Sequence, residues 1–177
     1  MKSSYMLALA LAAGVVISVF GTEASAQEKQ KFLFKQPPGI SKYDEQHAID
    51  VGDVPGHQVR VFSGHLVYTQ EAPVYDGVKV KEAWNRGLSD YTEGNGRNTG
   101  YYVALLENGD KVFGRFEGIT QTTVNTDGSK VTKSYGVTTL TGGTGKFKSI
   151  RGTLHNAGMI DFKTSEYVIE GEYWIER

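Results

Sequence analysis

From Gln58 to the end of the chain, apolar and polar residues alternate with a period of two, and this alternation constrains the fold more than any other feature. Val59, Val61, Ser63, His65 and Val67 fall on one face of an extended chain, with Phe62, Leu66 and Tyr68 on the other. The last run is the clearest. Tyr167, Ile169, Gly171, Tyr173 and Ile175 alternate with Glu166, Glu170, Glu172 and Glu176, so the acidic face is expected in water and the aromatic face buried. No stretch after Gln27 repeats apolar residues at i, i+3, i+4, i+7 for long enough to make a helix.

Turn residues separate these runs. A turn is expected around Pro73 to Gly77, followed by an extended stretch from Val78 to Thr92; Gly94 to Asn98 reads as a loop, and Thr99 to Glu107 as a strand. Asn108-Gly109 and Asp127-Gly128 carry the signal of a type I′ hairpin, whose two central residues both need φ > 0. The second of these links runs 111–125 and 130–141. About seven or eight strands in consecutive order with short links predict an all-β protein with little helix. The arrangement that leaves no edge open to aggregation is a single eight-stranded antiparallel up-and-down β-barrel.

The start of the chain follows other rules. Lys2, the apolar run Met6 to Phe20 and the Ala24-Ser25-Ala26 cleavage pattern have the layout of a secretory signal peptide over residues 1–26. The apolar run is shorter than the roughly 20 residues that span a bilayer, so no stable membrane insertion is expected after cleavage. Residues 27–57 are polar and charged, with Pro37-Pro38-Gly39 inside, and read as an arm with one short strand at Phe32 to Phe34. The barrel then occupies 58–177. The expected location is outside the cytoplasm, periplasmic or secreted.

Composition removes several functions. The formal charge of −1 leaves no basic footprint for nucleic acid. The absence of cysteine excludes disulfides, thiol catalysis and Cys-ligated metal. The four histidines, 47, 57, 65 and 155, show no metal-site spacing, so neither metal nor cofactor is expected. Gly142 to Lys146 is not a phosphate-binding loop, because Leu140 stands where the first glycine is needed and Phe147 follows the lysine. No Gly-x-Ser-x-Gly elbow is present.

One segment carries a resemblance. Gly142-Gly143-Thr144-Gly145-Lys146-Phe147 followed by Arg151-Gly152 resembles the signature of plant dirigent proteins, which are similar in fold to allene oxide cyclases, and of bacterial allene-oxide-cyclase-barrel-like proteins. The likeness continues through Asp161-Phe162-Lys163-Thr164 and Val168 to Tyr173. Read from the residues alone, the same segment is a glycine-rich corner whose Phe147 and Ile150 plug one end of the fold. Unlike the plant proteins, the chain has no cysteine and no Asn-x-Ser/Thr, which favours a bacterial exported member.

The resemblance implies an eight-stranded barrel holding a small, largely apolar molecule, often assembled as a homo-oligomer, a trimer or a dimer. It also implies that Arg151 faces the pocket. Parity would carry Thr153, His155, Ala157 and Met159 with it, which makes Arg151 and His155 the candidate catalytic pair. Arg151 could equally pair with an acid at the barrel mouth. Arg115 and Glu117 share one face of their run, while Val112, Gly114, Phe116 and Gly118 share the other, and parity alone leaves open which points inward. Tyr135 and Tyr173 complete the expected ligand-binding set of Arg115, Glu117, Tyr135, Arg151, His155 and Tyr173. Three functions follow: a small-molecule-binding barrel, a cofactor-free cyclase or isomerase acting on a polyketide- or lipid-like substrate, or a non-catalytic interaction protein with a closed lumen. His65, with apolar same-face neighbours, is expected to be a structural histidine.

Overall fold

The computed structural model describes residues 28–160 and 166–176. The expected signal peptide and the Asp161–Thr164 turn lie outside the described residues. The alternating runs form antiparallel strands: β1 (Gln30–Gln36), β2 (Ser41–Asp50), β3 (His57–Val67), β4 (Val74–Tyr75), β5 (Val78–Thr92), β6 (Asn95–Leu106), β7 (Lys111–Val124), β8 (Lys130–Gly143), β9 (Ile150–Ile160) and β10 (Glu166–Ile175). Helix among the described residues is limited to a 3₁₀ turn at Gly145–Phe147.

The all-β expectation holds, but the closed eight-stranded barrel does not. Ten strands form one sheet in the order β1-β10-β9-β8-β7-β6-β5-β3-β2, with β4 paired to β5, and the hydrogen-bonded path stops at β1 and β2. Those two edges are consecutive in the chain, joined by Pro37-Pro38-Gly39-Ile40. Four linking residues span at most about 18 Å, so the sheet rolls far enough to bring its edges near each other without pairing them. Two features oppose a ladder at this seam. Prolines have no N–H to donate, and a bulge at Asp44 shifts the register of β2.

The stretch read as a polar arm thus contributes two strands. β2 escaped notice for a physical reason: all ten of its residues are exposed. A strand that buries neither face has no need to alternate.

The turns also differ from expectation. Gly109 (φ 85°) and Gly128 (φ 81°) are left-handed, while Asn108 and Asp127 are not. Leu106 N–H donates to Asp110 O (2.8 Å) and Gly109 N–H to Leu106 O (3.0 Å), and Asn125, Gly128 and Ser129 repeat the pattern. These are three-residue loops ending on a left-handed glycine, not type I′ turns. The type I′ geometry belongs instead to Asp76-Gly77 (φ 44° and 78°) and Glu93-Gly94 (φ 51° and 81°). The second of these lets β6 start at Asn95, where a loop was expected.

One face of the sheet carries the core. Leu66, Ala83, Ala104 and Val112 follow one another in register across β3, β5, β6 and β7, and all are buried. Leu140, Leu154, Tyr173 and Phe32 close the far side, and Phe147, Ile150 and Tyr75 seal the end. Contacts across the roll confirm its curvature, with the Phe32 and Tyr75 rings 5.1 Å apart and those of Phe34 and Tyr68 5.7 Å apart. Higher up, Phe116 lies over Gly100 and Gly87 to reach Phe62, with ring centroids 6.3 Å apart. A Cβ at Gly100 would come within 2.6 Å of the Phe116 ring. Val112, Gly114 and Phe116 therefore take the core side of β7, and Arg115 and Glu117 the opposite face.

Candidate functional site

The face opposite the core carries a hollow of about 1100 Å³. It runs across β3 and β5 through β10, and its side chains come from two neighbouring register rows. One row is Leu88, Thr99, Glu117, Val137, His155 and Glu170; the next is Asp90, Arg97, Ile119, Tyr135, Ala157 and Val168. On β10 the alternation is explicit. Val168 and Glu170 line the hollow, while Ile169 between them packs against the core. Gly118 and Gly136, paired in register at the middle, form a floor of bare backbone.

Apolar side chains are unusually exposed here: Leu88 49%, Ile119 42%, Tyr135 42% and Val168 40%. Together with Val59, Val137 and Ala157 they make a largely apolar concavity, bordered by Asp90, Arg97, Glu117, His155 and Glu170. Small-molecule pockets combine an apolar wall with a few polar groups in this way, and their volumes run from about 300 to 1,000 Å³.

The six expected ligand-binding residues separate. Glu117, Tyr135 and His155 line the hollow. Arg115 shares their face but lies one register pair away, its guanidinium over the Tyr101 ring at 5.7 Å. Arg151 is not in the hollow. It donates to Thr141 O (3.0 Å) and Ile150 O (2.8 Å) and pairs with Glu176 at 3.8 Å, as the mouth-pairing alternative anticipated. Arg151 and His155 share a face but stand four residues apart on one strand, roughly 13 Å, and only His155 lines the hollow. Met159 is exposed and also outside the hollow.

Tyr173 is buried in the core. Its hydroxyl accepts from Asp76 N–H (2.7 Å) and donates to Gln30 Oε1 (2.6 Å), beside a smaller cavity of about 330 Å³. Burial raises its pKa.

The glycine-rich segment builds the sealed end. Lys146 Nζ donates to both Asp76 O (2.7 Å) and Asp76 Oδ2 (2.8 Å), tying the 3₁₀ turn to the β4–β5 turn. The lysine, and then Gln30, hold the Asp76 carboxyl below the usual aspartate range. Thr144 Oγ1 accepts from Lys111 N–H at 2.8 Å. The motif therefore shapes architecture, and its residues lie away from the hollow.

Two histidines are held by carboxylates. His65 stacks on Trp84 with centroids 4.9 Å apart, and its ring nitrogens meet Glu82 (3.0 Å) and Asp44 (3.3 Å), so it is structural as expected. His57 sits between Asp90 (2.8 Å) and Asp53 (2.6 Å), and these partners, Asp90 first, raise its pKa above 6.5. Through Asp90 this clamp touches the rim of the hollow.

The sequence reading placed Ala157 on the right face but missed Val59, Leu88, Asp90, Arg97, Ile119, Val137 and Val168. A signal existed in the apolar residues on the face opposite the core, but choosing among them needs the register of neighbouring strands.

No protein-family model matches the chain, and no curated protein matches it. Among solved structures it is similar to two pterocarpan synthase dirigent proteins. One aligns at 14% identity over 94% of this chain and 98% of the other, with a TM-score of 0.43. The second aligns at 15% identity over 86% and 97%, with a TM-score of 0.41.

Proposed function

We propose that this protein binds a small, largely apolar organic molecule in the hollow opposite its core, and that it does so after export from the cytoplasm. The observation that carries the binding reading is the hollow itself: an apolar concavity of about 1100 Å³ floored by glycine backbone. An exposed apolar surface of this kind costs solubility unless it serves a contact. Its fold, in this reading, is an allene-oxide-cyclase-like barrel with one seam left unpaired. The glycine-rich sealed end and the strand order support that view.

A neutral apolar fluorophore titrated into the mature protein tests the binding reading. Saturable binding is expected, weakened more than about tenfold by Leu88→Glu or Ile119→Arg, because each places a charge where apolar contact is needed. A folded protein without saturable binding, or variants that bind as well as the wild type, would sink it. Export is tested by the N-terminal mass of the secreted protein, expected to begin at Gln27.

A second reading, a cofactor-free cyclase or isomerase, is favoured by one arrangement. A molecule in the hollow meets the Glu117 carboxylate, the Tyr135 phenol and the His155 imidazole together. Such a site can work by holding a flexible substrate in one reactive conformer, with proton transfer from these groups. Unchanged turnover in both Glu117→Gln and His155→Ala would reject it.

A further inference from the structure

The charged groups around the hollow are not equivalent, and their pairing indicates what the ligand carries. Asp90 has two cationic neighbours: Arg97 lies directly opposite it in the β5–β6 register, and His57 Nε2 reaches it at 2.8 Å. Glu170 has His155 directly opposite on β9. Directly opposed residues have Cβ atoms about 5 Å apart, close enough for the Arg97 guanidinium to compensate the Asp90 carboxylate.

Glu117 differs. It sits on β7, the middle one of the seven strands that line the hollow, and its register neighbours are Thr99 and Val137, neither of them charged. Ile119 follows on the same face. Arg115, two residues earlier on that face, turns its guanidinium over the Tyr101 ring instead. Among the described residues no ion pair involves Glu117. A carboxylate outside any ion pair thus stands on the middle strand of a largely apolar hollow.

We infer that the occupant of this hollow is a cationic amphiphile, an apolar body bearing one protonated amine, and that Glu117 receives the ammonium group. This rests on the binding function proposed above and narrows its ligand class. An anionic ligand of the same shape would bring like charge against Glu117. A neutral ligand would leave the carboxylate under an apolar cover without its water, which is costly. An ammonium replaces that water with a charge-assisted hydrogen bond, and the apolar walls reduce the screening that weakens exposed ion pairs.

Three probes with the same ten-carbon chain separate the possibilities: decylammonium, decanol and decanoate, titrated calorimetrically at neutral pH. Decylammonium is expected to bind about tenfold more tightly than decanol, and decanoate most weakly. Glu117→Gln, an exposed position whose replacement leaves the core intact, is expected to abolish that preference by weakening decylammonium without weakening decanol. Decanoate binding as tightly as decylammonium, or a preference that survives in Glu117→Gln, overturns the inference. Decanol bound without preference for decylammonium overturns the charge assignment alone. A folded protein that takes none of the three probes overturns the binding function and the inference together.

Discussion

Individual side chains in this protein divide between two faces by their position in the chain, and their partners decide what each can do. His155 and Arg151 illustrate the point. They share the parity the sequence suggested, yet one borders the hollow and the other braces the sealed end against Glu176. Parity specifies a face, whereas distance along a strand specifies a site. His57 gives a prediction at this scale. Its carboxylate partners raise its pKa in the folded state, so their stabilisation is fully present below the unfolded value near 6.5. It is lost as pH rises through the folded value. Denaturant midpoints measured between pH 6 and pH 9 should therefore fall more steeply for the wild type than for His57→Gln. Identical slopes would show that the clamp contributes nothing.

Among the elements, turns and the plug carry specificity that composition only hints at. The four tight links all contain glycine, but only Asp76-Gly77 and Glu93-Gly94 place both central residues at positive φ. The Asp76 turn is further held by Lys146 and by the Tyr173 hydroxyl, so three distant segments meet at one corner. Phe147 is the apolar centre of that corner and is fully buried. Phe147→Ala should cost about 3–5 kcal/mol by emptying the plug. Thermal or denaturant unfolding would measure it, and a loss below about 1 kcal/mol would mean that the end is not sealed as described. The glycine-rich motif was thus legible as a structural corner. That its residues stand apart from the hollow was not legible, because the motif records only how the chain turns.

For the molecule as a whole, the sheet rolls without joining its edges. β1 and β2 end the ladder, and β2 is exposed along its full length. Hydrogen exchange should follow this order: slowest amides in β7 and β8 at the centre of the sheet, fastest in β2. Protection in β2 equal to that in β7 would indicate that the seam is paired in solution. The strand class, most strand positions after Gln58, the wet acidic face of the last strand and the sealing role of Phe147 and Ile150 can all be read along the chain. Each of these is written in local alternation or turn chemistry. The existence of β2, the end of the ladder at the Pro37–Ile40 link, and the concavity that Glu117, Tyr135 and His155 share with Leu88, Asp90 and Arg97 emerge from the packed sheet alone. Those outcomes depend on which strands become neighbours, in what register, and how far the sheet curves, and a period of two along one strand carries none of that information.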